Sequence, residues 1–289
     1  MNRVRAVVML RNMSFVLISI ARVAAITLGA GVPIFAALTA TEFVIAGSLI
    51  VYFARRDGRS FEIADVSRVE CRRLFGQVWP LLVRLVAIGV YMRTQQVIIG
   101  QLLGDRKVGI YAAAARLSEI WYLVPVMIMT AIVPRLAQSH SASVETYERQ
   151  LKTVMRALFW LSVAVALAMS FGASLIIRLI YGHDYDEAAA ILAIHAWAGL
   201  FVPLGVSSNA WCINQGLTRC GLYQAIASAL VGISLNLLLI PHFGIRGAAW
   251  AVVGSQLLSA VMFNLVRRPT RRIFTLQMQS IGLPIGWRQ

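Results

Sequence analysis

Apolar residues in this chain come in long blocks separated by short polar connections, without the alternation of a strand or the one-sided stripe of a water-soluble helix. Eight such blocks occupy residues 12–32, 34–54, 74–103, 108–134, 157–177, 188–217, 222–240 and 248–266. About 20 helical residues suffice to cross a bilayer. Each block therefore predicts a membrane helix, and the chain an all-α, polytopic transmembrane helical bundle of about eight spans. Block 157–177 is the cleanest, with no charge in 21 residues. Blocks 74–103 and 108–134 are joined only by the polar turn from Gly104 to Lys107, which makes them a membrane hairpin. Pro33, following Gly29 and Gly31, turns the chain between the first two blocks. Pro203 and Gly205 predict a kink in block 188–217, because proline removes one backbone hydrogen bond, and Pro241 closes block 222–240.

Composition agrees with that pattern. The 289 residues are 59% hydrophobic and only 13% charged, with a mean hydropathy of +0.73, outside the range of a soluble globular domain of this size. The net charge of +15 would point to nucleic acid in a soluble chain. Here the arginines lie between the blocks and at their ends, where they set orientation and touch anionic lipid, so membrane lipids and not nucleic acid are the expected partners. Connection 55–73 holds Arg55, Arg56, Arg59, Arg68, Arg72 and Arg73. It divides the chain into two N-terminal membrane helices (1–54), a basic cytoplasmic linker (55–73), a six-helix bundle (74–266) and a basic tail (267–289), the last expected to lie loosely at the membrane surface. Connection 135–156 is also basic, whereas turn 178–187, with Asp184, Asp186 and Glu187, is acidic and reads as a solvated outer loop. The positive-inside rule then puts both termini in the cytoplasm and the protein in the inner (cytoplasmic) membrane. The basic start with Arg3, Arg5 and Arg11 is not read as a signal peptide, because the apolar run after it is too long and lacks a small-residue cleavage pattern.

Charge also lies inside the blocks: Arg22 and Glu42 in the first two, Arg84 and Arg93 in the third beside Gln95 and Gln96, Arg116 and Glu119 in the fourth. A charge near mid-bilayer costs about 2.5–3.5 kcal/mol even on lenient scales, so these groups should face a wet interior or pair with one another. Arg116 and Glu119, three apart, share a helix face and can pair. Arg22 and Glu42 can neutralise each other across the first hairpin, as a structural or a functional pair. Arg84 and Gln95 return to nearly one helix angle, while Arg93 points the other way with Gln96. Cys71, Cys212 and Cys220 have no metal or redox spacing and read as packing residues. His140, His183, His195 and His242 are dispersed, so no metal, no cofactor and no clustered catalytic site of a membrane enzyme is expected.

Three stretches, 100–134 (GQLLGDRKVGIYAAAARLSEIWYLVP at its start), 179–188 (LIYGHDYDEA) and 236–249 (NLLLIPHFGIRGAA), occur in an order that resembles the polysaccharide-exporting flippases of the multidrug/oligosaccharidyl-lipid/polysaccharide superfamily, O-antigen flippases above all. The resemblance runs from about Ser14 to Val266. It implies a twelve-helix plan of two six-helix bundles around a cavity opened alternately to either side, with 74–266 as the second bundle, the first two blocks as the end of the first, and about four helices of the first without counterpart. Gly104, Gly109, Gly244 and Gly247 fall at tight turns opening into helices, where missing side chains let backbones approach. The resemblance also places an acidic residue where this chain has Gln95. Glutamine cannot titrate, which leaves Glu119 and Glu42 as the mid-span carboxylates able to couple an ion.

The expected function is translocation of an undecaprenyl-diphosphate-linked oligosaccharide such as an O-antigen repeat unit, with no bond made or broken. A polysaccharide polymerase is a further expected partner. Arg22, Arg84, Arg93 and Arg116 are the candidates for the diphosphate, through bidentate charge-assisted hydrogen bonds. Tyr91, Trp121, Tyr122, Trp197 and Trp211 are candidates for sugar stacking or for interface anchoring. Two alternatives stay open: a non-transporting fragment or assembly partner, and a multidrug cation antiporter of the same superfamily, which would want acidic cavity positions.

Overall fold

The structure, a computed structural model, describes residues 2–56, 67–217 and 219–283. Among these residues it is helical with no strand. Among the described residues four stretches are long and apolar enough to cross a membrane: Asp105–Leu136, Val144–Tyr181, Glu187–Asn214 and Cys220–Val266. The chain forms two compact units, Met1–Leu74 and Phe75–Gln289. Most of the expected linker, residues 57–66, lies outside the described residues.

In the first unit, α1 (Asn2–Thr27) and α2 (Val32–Arg56) pack against each other. The Arg22 guanidinium donates to Glu42 at 2.8 Å and to the Thr39 hydroxyl at 3.3 Å. Each charge thereby gains a partner across the hairpin.

The second unit takes in α3 (Arg68–Leu103) from Phe75 onward, α4 (Asp105–Ala142), α5 (Val144–Tyr181), α6 (Glu187–His195), α7 (Phe201–Asn214), α8 (Cys220–Leu257), the short α9 (Phe263–Val266) and α10 (Arg271–Ser280). Gly104 (φ +84°) lets α3 reverse into α4 without a loop. The basic connection expected at 135–156 shrinks to Ser143, whose hydroxyl accepts from the Thr146 amide to cap α5. Hydroxyls inside the apolar helices bond back to the carbonyl four residues earlier, as Thr94 does to Val90 and Ser162 to Leu158, so they carry no unmet polarity into the membrane.

The kink expected at Pro203 lies elsewhere. A tight 3₁₀ stretch, Ala196–Leu200, separates α6 from α7, and Pro203 sits in the first turn of α7, where a missing N–H is harmless. The helix α8 is a hairpin of two arms that reverses at Gly244 (φ +59°). Its arms touch at glycine: a Cβ on Gly247 would fall within contact distance of the Leu239 carbonyl oxygen and 2.6 Å from its carbon, and one on Gly254 would meet Leu235 at 3.0 Å. Gly109 has open space around its Cβ position, so no close approach explains that glycine.

Two apolar cores close opposite ends of this unit. One gathers Ile99, Ile110, Ala115, Ile177, Leu192 and Ala248 near the α3–α4 turn. The other gathers Met129, Tyr147, Met155, Trp211, Ile273 and Phe274 around α10 and the α7–α8 connection. The loosely held tail expected from the sequence is therefore corrected over 271–280, where Ile273, Phe274 and Leu276 are buried and Arg272 is paired in a two-pronged contact with Glu148 on α5. That carboxylate raises the Arg272 pKa further above its ordinary value. Gln277, fully buried, donates to the carbonyls of Leu204 and Ala260 and accepts from Asn264. Gln277→Leu leaves the Asn264 amide one partner short. It should lower the stability of the detergent-purified protein by about 1–3 kcal/mol, read as a fall in thermal midpoint.

At the other end, the acidic turn is laced to its neighbours: Arg178 grips Asp186 at 2.9 and 3.1 Å, and Lys107 pairs with Glu187. Arg178 holds the Asp186 carboxyl below the usual range. The pair's contribution is thus present above the ordinary carboxylate pKa and lost as pH falls through the depressed one.

Candidate functional site

Between the two cores the second unit has a half-open cavity of about 810 Å³. Its wall comes from α3 (Tyr91, Arg93, Gln95, Gln96), where Arg93 and Gln95 both border the cavity although their helix angles differ, one face of α4 (Tyr111, Ala115, Arg116, Glu119, Tyr122, Thr130), His195 at the end of α6, and the facing sides of α7 and both α8 arms. On α4 the lining recurs every three to four residues, the spacing that keeps one helix face toward one neighbour. Alanine at 112 and 115 and glycine at 89, 205 and 221 leave the room.

The predicted site residues divide among three fates. Arg93, Arg116, Glu119 and Gln95 all line this cavity. Arg22 and Glu42 are tied to each other in the first unit. The side chain of Arg84 lies outside the described residues. The Arg116–Glu119 pair expected from their spacing is not formed, since no oppositely charged atoms of the two come within 4.0 Å. Arg93 has only a 3.4 Å contact to its neighbour Gln96. Among the described residues neither guanidinium group has a carboxylate partner, and both are exposed on the wall of this cavity.

Gln95 does not stand free: 6% exposed, its amide donates to the Ala248 carbonyl at 3.0 Å and ties α3 to the second arm of α8. The Tyr111 hydroxyl lies against it yet makes no hydrogen bond of good geometry. Tyr91 bridges the arms of α8: its ring fills the notch left by Gly232, and its hydroxyl donates at 2.6 Å to Ser255, which donates in turn to the Val252 carbonyl. Of the aromatic candidates, Tyr91 and Tyr122 reach the cavity. Trp121 instead packs on Gly199 and donates to Ser162, and Trp211 is buried in the core around α10.

Sequence reasoning missed His195. It is 2% exposed, held edge-on by Tyr111 and stacked with Tyr122, with Nδ1 2.6 Å from the Ser118 hydroxyl. Because Ser118 spends its proton on the Ala115 carbonyl, the imidazole is the donor in that contact. It also missed Gln224, Ser228, Gln256 and Ser259, all of which line the cavity. Their signal was present as polar residues four and three apart in otherwise apolar helices, which share a face. Among the described residues no three His, Cys, Asp or Glu side chains gather as a metal would require.

Comparisons with known proteins bear on this arrangement. The MatE family model matches residues 80–238, and the model named for polysaccharide biosynthesis proteins matches residues 1–140. The capsular polysaccharide biosynthesis protein CapF of Staphylococcus aureus is 23% identical over 170 residues, covering 58% of this chain and 43% of that one. A probable low-salt glycan biosynthesis flippase of Haloferax volcanii is 26% identical over 57% of this chain and 35% of its own length. The chain thus spans less than half the length of these relatives. Among solved structures, a MOP superfamily transporter from Pyrococcus furiosus superposes with a TM-score of 0.62 at 18% identity, over 88% of this chain and 59% of that one. An outward-facing multidrug resistance transporter gives 0.63 at 18% identity, over 88% and 58%.

Proposed function

The chain belongs to the MatE family, and from that premise we propose that it is a multi-pass carrier of the cytoplasmic membrane whose cavity holds the diphosphate of a lipid-linked oligosaccharide. What carries this reading is the placement of Arg93 and Arg116 on one cavity wall with, among the described residues, no carboxylate within salt-bridge distance of either. Guanidinium forks match phosphate oxygens two at a time. The relatives named for capsular polysaccharide and glycan biosynthesis support the same cargo. Arg22, already neutralised by Glu42, serves the α1–α2 hairpin. The anion seat is Arg93 with Arg116.

In this proposal an undecaprenyl-diphosphate-linked oligosaccharide is passed across the membrane by alternating access. The prenyl tail stays in lipid, both termini face the cytoplasm, and no covalent bond changes. A cation antiporter would need carboxylates on the wall. Glu119 is the one among the described lining residues, and two arginines outweigh it.

The test is a binding competition on the purified chain in lipid nanodiscs. A short polyprenyl methyl diphosphate should bind saturably, and the lipophilic cation tetraphenylphosphonium should neither bind nor displace it. The opposite preference would overturn the anion reading.

A further inference from the structure

Charge and neutral polarity occupy different depths of the cavity. Arg116 follows Ala115, and Arg93 lies two residues from Gln95, whose amide is bonded to Ala248; both neighbours belong to the core beside the α3–α4 turn. Thr130 follows Met129, and Gln224 donates at 2.7 Å to the Ser259 carbonyl beside Ala260; those neighbours belong to the opposite core, around α10. From Arg116 to Thr130 the α4 axis runs about 21 Å at 1.5 Å per residue. Glu119 sits within one turn of Arg116. Beyond it, toward the α10 end, the described lining side chains are amides, hydroxyls, aromatics and aliphatics, with no further charge.

We propose that this neutral half is the saccharide subsite and that it selects an uncharged sugar chain, one without uronic or other acidic residues. The inference rests on the anion-carrier reading above and adds the substrate class. A diphosphate diester has one negative charge on each phosphate, and Arg93 with Arg116 answer those two. A sugar carboxylate farther along would lose part of its hydration with no cation among the described lining residues to replace it, which disfavours an acidic sugar. Sugar hydroxyl and acetamido groups need donors and acceptors in turn, which Gln224, Ser228, Ser259 and Thr130 supply. Gln224 is the pivotal residue: its NH₂ is held by the Ser259 carbonyl, which fixes the orientation of its amide on the wall.

The experiment uses the full chain in nanodiscs and three diphosphate diesters on the same short prenyl chain: methyl, N-acetylglucosaminyl and glucuronyl. None changes protonation on its diphosphate near neutral pH. The N-acetylglucosaminyl ester should bind about tenfold tighter than the methyl ester, and the glucuronyl ester no tighter than the methyl ester. Ser228→Ala should erode the N-acetylglucosaminyl advantage and leave methyl-ester binding unchanged. Gln224→Lys should instead favour the glucuronyl ester. Equal affinity for the neutral and acidic esters in the wild-type chain, which requires no variant to fold, overturns the neutral-sugar inference while the anion seat stands. Failure of all three esters to bind overturns both.

Discussion

Replacing Gly247 with alanine is expected to stop the second unit from folding, with little protein extracted from membranes in a monodisperse form. The reason is where the new methyl group would go. Its nearest neighbours are backbone atoms of the facing α8 arm, the Leu239 carbonyl group and, at 3.1 Å, the Ile240 nitrogen, none of which can rotate aside as a side chain could. The arms would have to part along their length, but Gly254 on Leu235 and Gln224 on Ser259 hold them at further points, and Gly244 fixes the turn. Overpacking of this kind costs about 1–3 kcal/mol where side chains can yield and more where they cannot. In lipid, close helix contact through small residues is itself a main source of association energy. Gly109→Ala is the matched control: its Cβ meets nothing within 4 Å, and it should insert and extract as the wild type does. Normal yield and thermal midpoint for Gly247→Ala would mean that the α8 arms do not close as described.

That contrast also marks what could be read from the chain alone. Block lengths announced membrane helices because the bilayer imposes a length on any apolar segment that crosses it. Arg93, Gln95, Arg116 and Glu119 announced a polar interior because their cost in lipid is too high for any other neighbour. Distances between helices were not legible. Nothing local says that Gly247 is crowded and Gly109 free, since that depends on which backbone arrives from elsewhere. The same holds for the tail: Ile273, Phe274, Gln277 and Ser280 recur on a helical face, but their arginine neighbours read as surface until Glu148 is seen to receive Arg272. Pairing misled in both directions. Arg22 and Glu42, twenty residues apart, meet, whereas Arg116 and Glu119, one turn apart on the cavity wall, do not.

The second large effect follows from those unpaired guanidinium groups. Arg93→Gln and Arg116→Gln should each weaken binding of a polyprenyl methyl diphosphate, and the double variant should abolish it within the measurable range. Losing one charge-assisted fork to a phosphate costs about 1.5–3 kcal/mol, close to ten- to a hundredfold per arginine. The two losses will not simply add, because both groups act on one ligand and either can partly compensate for the other. Arg116→Lys should fall between wild type and Arg116→Gln, since it keeps the charge and loses the planar fork. Thermal stability provides the necessary contrast. Among the described residues neither arginine is paired to a carboxylate and both are exposed on the cavity wall, so neutralising either removes no ion pair. The Gln variants should melt at the wild-type midpoint while losing affinity. Arg22→Gln should show the converse, leaving Glu42 without its partner and lowering the midpoint with affinity unchanged. Diphosphate binding that survives in the double variant, or that disappears only together with the fold, would mean that these cations support the bundle and not a cargo.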